Sequence, residues 1–194
     1  MKKALFFAGM IVLIMGACRK SSPIDKPEPT HPVMQYKDLQ NAEVKNGKFV
    51  TVDLDDDHYT DFSFGVLLVG DPLLQRDRLQ FYVGSNEDRN LLNNENDESP
   101  MLNRLELVKS HHTGYTWYEI SFIVLAEKIT TTSSTYWQGI WKDANHKYLP
   151  LQLNKNDKIY NGWIELSFDS AAQKLVLHKA AFSTEENKEV KAGY

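Results

Sequence analysis

The chain has 194 residues, of which 42% are hydrophobic and 11% aromatic, and its formal charge is −4. That composition excludes a disordered chain, and the negative balance argues against nucleic acid and against electrostatic adsorption to an anionic membrane. Its only cysteine is Cys18, so no intramolecular disulfide can form and the fold must be held by its core or by metal.

Lys2 and Lys3 give the N-terminus a positive start, and residues 4–15 form an apolar run. The run is short for a bilayer span and has the length of a signal-peptide core. Met15-Gly16-Ala17-Cys18 closes it. Two small residues before a lone cysteine resemble a bacterial lipobox, with methionine where leucine is usual. The resemblance implies a diacylglycerol on the Cys18 thiol and cleavage before it. Residues 1–17 are then a lipoprotein signal peptide, and the mature chain is tethered to a membrane outside the cytoplasm. Without Lys2 and Lys3 the formal charge falls from −4 to −6. An uncleaved anchor or an ordinary signal peptide is the plainer alternative.

Residues 18–33 carry Pro23, Pro27, Pro29 and Pro32 among charged and small residues, with no apolar period. They read as an extended tether reaching up to about 45 Å. Arg19, Lys20, Ser21 and Ser22 follow the cysteine, where surface-exported lipoproteins of the Bacteroides group carry acids. A periplasm-facing location is therefore at least as well supported as surface display, and the side stays open.

Residues 34–194 are expected to form one domain with a single core. The stretch 32–40 offers one short helical turn at most. Strand patterns then recur. Val50, Val52 and Leu54 share one face, residues 62–69 are more continuously apolar, and 79–83 and 105–108 follow. Tyr118, Ile120, Phe122 and Val124 make a period-2 face, with Glu119 and Ser121 opposite. Residues 136–141, 148–153, 163–168 and 175–182 complete a set of about nine strands. Turn residues at 70–72, 154–157 and 169–170 separate them. Short strands with frequent turns predict an all-β fold, an antiparallel β-sandwich of jelly-roll-like kind. Between them, the polar, asparagine-rich stretch 86–100 reads as a mobile loop.

One constellation carries coordination chemistry. Counting Asp53 as position one, carboxylates fall at positions one, three, five and nine (Asp53, Asp55, Asp57, Asp61), and the Tyr59 carbonyl at seven. That is the alternation of calcium loops, and oxygen donors without sulfur favour Ca²⁺ over zinc. His58 stands where such loops use glycine for its positive φ, a substitution costing about 1 kcal/mol. Phe64 stands where a helix–loop–helix site has its bidentate glutamate. The other reading is a solvated acidic turn neutralised by Lys and Arg from a neighbouring loop.

Phe49-Val-Thr-Val-Asp-Leu-Asp-Asp-Asp-His-Tyr-Thr-Asp-Phe62, Tyr148-Leu-Pro-Leu-Gln-Leu153, Tyr160-Asn-Gly-Trp-Ile-Glu-Leu-Ser167 and the closing Ala192-Gly193 resemble uncharacterised secreted lipoprotein domains of the Bacteroides group. The resemblance implies a β-sandwich and an envelope location, and no activity.

Other candidates come from residue type. Trp137, Trp141 and Trp163, with Trp117 and Tyr136, can stack on sugar rings or fill a core. Glu119 and Glu165 can pair as glycosidase carboxylates if about 5 to 10 Å apart. His111-His112 points its rings apart on an extended chain, a poor two-ligand metal site. The expected role is therefore a membrane-tethered envelope protein that binds or assembles, with a glycan or an envelope protein as partner and Ca²⁺ as the cofactor. A carbohydrate-binding module or a glycoside hydrolase is the alternative.

Overall fold

The computed structural model describes residues 31–194, so the signal peptide, Cys18 and most of the tether lie outside the described residues. Two antiparallel sheets pack face to face. The larger has the order β1 (Met34–Val44), β12 (Lys174–Ser183), β11 (Lys158–Asp169), β10 (Lys147–Lys155), β5 (Arg89–Asn93) and β7 (Thr116–Glu119). The smaller has the order β2 (Val50–Val52), β3 (Phe62–Asp71), β4 (Arg76–Ser85), β8 (Phe122–Thr131) and β9 (Thr135–Gln138). The all-β sandwich expected from the sequence is what the chain forms. Among the described residues no helix is long and apolar enough to cross a membrane.

Alternation places the core. Phe62 and Phe64 on β3, Phe81 and Val83 on β4, and Ile123 and Leu125 on β8 point at the larger sheet. They meet Leu149, Leu151, Ile164, Leu166 and Leu177 from its meander. Each such side chain contributes about 1.5–3 kcal/mol on leaving water.

The larger sheet is also covered on its far side. β6 (Leu107–Val108) and β13 (Val190–Lys191) form a small ribbon over it. Beneath the ribbon Val108, Tyr148, Trp163, Ala181, Val190 and Ala192 make a second apolar cluster. Gly193 has φ +68, and a Cβ there would stand 2.4 Å from the Tyr148 ring, so only glycine lets the tail close over the sheet. His31 joins this end of the chain. Its ring stacks on Tyr194 at 3.7 Å and its Nε2 accepts the Lys191 N–H at 3.0 Å, so the described body begins before Met34.

Several elements differ from the sequence expectation. Residues 34–44 form an eleven-residue edge strand, not a helical turn. Its register on β12 breaks between Asp38 and Ala42, where Gln40 and Asn41 take positive φ. The predicted face from Tyr118 to Val124 is two strands in different sheets. Ile120, at φ 51, turns the chain between them, and Tyr118, Ile120 and Phe122 face solvent while Ile123 and Leu125 point inward. The stretch 86–100 is not a free loop. It contains β5, with Leu91 and Leu92 fully buried. The Asn94 side chain accepts the N–H groups of Asn96 and Glu98, and the buried Trp141 indole donates to the Ser99 carbonyl at 3.0 Å.

Candidate metal centre

The aspartate turn leaves β2 and re-enters β3 at a closed gate. Val52 and Phe62 are paired, and the Asp61 N–H donates to the Val52 carbonyl at 2.8 Å. Leu54 is buried in the core and pins the turn from within. His58 sits at φ 72, the conformation a calcium loop asks of its sixth position, and Asp56 is at φ 59. The carboxylates fold the turn on itself. Asp53 Oδ2 accepts the His58 N–H at 3.0 Å, Asp57 Oδ1 accepts the Tyr59 N–H at 2.8 Å, and Asp61 Oδ2 accepts the Leu54 N–H.

Three basic side chains from the larger sheet close on this turn. Arg89, at the start of β5, donates through Nε to Asp61. Its terminal nitrogen lies 3.4 Å from Asp55 and 3.5 Å from Asp57. Lys155, at the end of β10, pairs with Asp55 at 2.7 Å. Lys37 of β1 donates to the Asp53 carbonyl and pairs with Asp56 at 2.6 Å. The turn belongs to one sheet and its cations among the described residues to the other, so the charges clasp the sandwich at this end.

The electrostatics differ from one aspartate to the next. Burial acts to raise the Asp55 carboxyl, but Lys155 and then Arg89 outweigh it and hold it below its ordinary value. Asp61 is fully buried. There burial wins over the Leu54 N–H and Arg89, and the carboxyl is pushed up. Five aspartates facing Lys37, Arg89 and Lys155 leave a formal charge of −2.

Asp53, Asp55 and Asp61 each offer an oxygen within 4.8 Å of the others. Among the described residues, Asp53 Oδ1 and Asp55 Oδ1 are buried and find no hydrogen-bond partner. An all-oxygen set with two orphaned acceptors and an uncompensated charge of −2 suits one hard divalent cation. Asp57 and Tyr59, the other two sequence-predicted ligands, are not in this group. Asp57 is turned toward Arg89 and the Tyr59 N–H, and the Tyr59 ring is exposed. Sequence reading missed Arg89 because it stands in a stretch dominated by asparagine and acids. An arginine amid acids was the available signal.

The tryptophan expectation is corrected by burial. Trp141 and Trp163 are 1% and 0% exposed, so neither can offer a face to a sugar. Gly139, at φ 106, breaks β9 and starts the 3-10 turn (Ile140–Asp143) that drives Trp141 inward. Trp163 lies under the ribbon. Trp137 packs edge-on to Phe168 at 5.0 Å. Trp117 donates to the Lys109 carbonyl at 3.2 Å.

The carboxylate pair is corrected too. Glu119 and Glu165 are three strands apart and offset by four residues in register, about 14 Å across and 13 Å along the sheet. Glu165 is held instead by His146 at 2.7 Å and Lys179 at 3.6 Å. His112 is turned inward, where its Nε2 accepts the Lys109 N–H at 3.2 Å, and His111 is exposed.

No family model matches the chain, and no curated protein or solved structure matches it at a significant level.

Proposed function

We propose that this chain is a lipid-anchored envelope protein that binds or assembles, and that its β-sandwich is stabilised by Ca²⁺ in the aspartate turn. The observation that carries the metal is the convergence of Asp53, Asp55 and Asp61, with two buried oxygens unpartnered and a charge of −2 left over. The ion would rigidify the turn that Arg89, Lys155 and Lys37 draw against the larger sheet. Modest affinity is expected, with Kd of about 10⁻⁴–10⁻³ M as in other extracellular modules. The anchor rests on the sequence Met15-Gly16-Ala17-Cys18 alone.

Equilibrium dialysis against ⁴⁵Ca tests the metal. One ion per chain is expected, with uptake lost in Asp55→Asn and the melting temperature raised by calcium only in the parent protein. No uptake at about ten times a millimolar Kd, with equal melting in calcium and chelator, would overturn the site. Intact-mass analysis of the membrane-extracted product tests the anchor. A chain starting at Cys18 with a diacylglyceryl adduct is expected, whereas an unprocessed leader with a free thiol removes it.

A further inference from the structure

The outer face of the smaller sheet carries an ordered array of side chains, of which Gln80, Glu127 and Ile129 are themselves buried. Pairing register sets them in rows. Tyr82 and Val124 stand in one row, Gln80, Glu127 and Gln138 in the next, and Arg78, Ile129 and Tyr136 in the third. Phe122, at the head of β8, stacks on Tyr82 with ring centroids 4.6 Å apart. Gly65 on β3 lies beneath the Tyr82 ring, where a Cβ would come within 2.6 Å of the hydroxyl, so glycine leaves the ring its place against the sheet. Aromatic faces thus bracket a polar row. Tyr82 and Tyr136 are about 13 Å apart along the strands and two strands apart across them.

The polar row is fixed before any ligand arrives. Glu127 is 5% exposed, which is rare for a carboxylate on the outer face of a sheet. Arg78 Nε donates to it at 2.7 Å, Gln80 Nε2 at 2.9 Å, and Gln138 Nε2 donates to its other oxygen. The turn at residues 94–98, held by Asn94 and Trp141, walls one side of a groove of about 580 Å³ over Glu127, Gln138 and Phe122.

We infer that this groove binds a neutral oligosaccharide, laid across the face between the Tyr82–Phe122 pair and Tyr136. The chemistry selects that class. The exposed Phe122 and Tyr136 rings match the apolar C–H faces of pyranoses, and the exposed Gln138, Asn96 and Asp97 match their hydroxyls, while Gln80 and Glu127 lie buried beneath and hold the Gln138 amide in place. Asp97, Glu98 and Glu127 outnumber Arg78, which is already engaged, so anionic glycans are repelled. On this face β4 and β8 are hydrogen-bonded on both sides, and the open edge, β9, gives an extended peptide only four residues to pair with. The inference uses neither the metal nor the lipid anchor, and it puts the sugar on residues other than the buried tryptophans.

The test is a glycan array of neutral and acidic oligosaccharides probed with the full mature chain, followed by calorimetry on the best neutral hit. Tyr136→Ala and Phe122→Ala, both at half-exposed rings, should each weaken binding by about tenfold at unchanged melting temperature. Tyr59→Ala, a still more exposed ring in the aspartate turn, should leave binding unchanged, and so should Asp55→Asn. No neutral glycan bound, a preference for acidic glycans, or binding indifferent to Tyr136 and Phe122 would each overturn the inference. Loss of calcium uptake in Asp55→Asn with glycan binding intact separates this groove from the metal centre.

Discussion

Arg89→Met keeps an aliphatic stem and removes the guanidinium that three aspartates share. The Arg89 side chain is 9% exposed and that of Asp61 0%, so the deletion leaves a buried carboxylate facing no cation. Breaking a buried pair from one side costs about 3–5 kcal/mol. Lys155 still serves Asp55, which places the loss near the lower end. For a domain of this size each kcal/mol moves the melting point by about 2–4 °C, so a fall of roughly 6–12 °C is expected in chelator. The turn would then carry −3 instead of −2, and calcium should bind the variant more tightly. At ten times Kd the ion contributes about 1.4 kcal/mol to the parent protein, and its contribution to the variant should exceed that. Urea melts in EDTA and in calcium measure both quantities. Arg89→Met combined with Asp61→Asn supplies the control. Asparagine still accepts the Leu54 N–H and carries no charge, so the double variant should recover about half of the loss. A single variant within 1 kcal/mol of the parent, or a double variant worse than the sum of its parts, would refute the reasoning.

Ile120 holds φ 51 although it is β-branched and 70% exposed. Ile120→Asn should therefore raise stability by about 1 kcal/mol, read as a higher urea midpoint, and a lower midpoint would deny the strain. Gly193→Ala meets both a positive φ and the Tyr148 ring. It should detach the C-terminal tail, seen as faster hydrogen exchange at Val108 and Val190 with the main core unchanged. Acid should weaken the fold in a defined window. Burial holds His31, His112 and His178 below 6.5, with the neighbouring His146 adding to the effect on His178. The unfolded chain then binds protons first, so these groups leave stability intact above about pH 6.5 and reduce it as pH falls toward their lowered values. Urea midpoints from pH 7.5 to 5.5 should decline, and less steeply in His178→Gln. A midpoint that rises on acidification contradicts the assignment.

The meander β10–β11–β12 was plain in the sequence because each strand alternates and each turn is marked, at residues 154–157 and 169–170. β1 was hidden because its outer residues are polar and its register break at Gln40 and Asn41 destroys the period of two. β5 was hidden because its polar residues are satisfied inside the fold, Asn90 by Gln152 and Asn93 by Ser121. The alternation from Tyr118 to Val124 was real as a pattern and wrong as a face, since Ile120 reverses the chain within it. Spacing alone marked the aspartate turn, and three of its carboxylates do converge. Spacing could not say that Arg89 and Lys155 would arrive from the other sheet. Nor could it say that a ribbon near the C-terminus would cover Trp163.

The outermost strand of the larger sheet has one further effect. β1 is eleven residues long, enough to template a neighbouring copy along its open hydrogen-bonding side. Its two left-handed residues buckle that side midway, and the other sheet margins, β2, β7 and β9, are only three or four residues long. A margin bent in this way gives a second copy no continuous row of backbone groups to add to, so the sandwich can be concentrated without zipping into fibres.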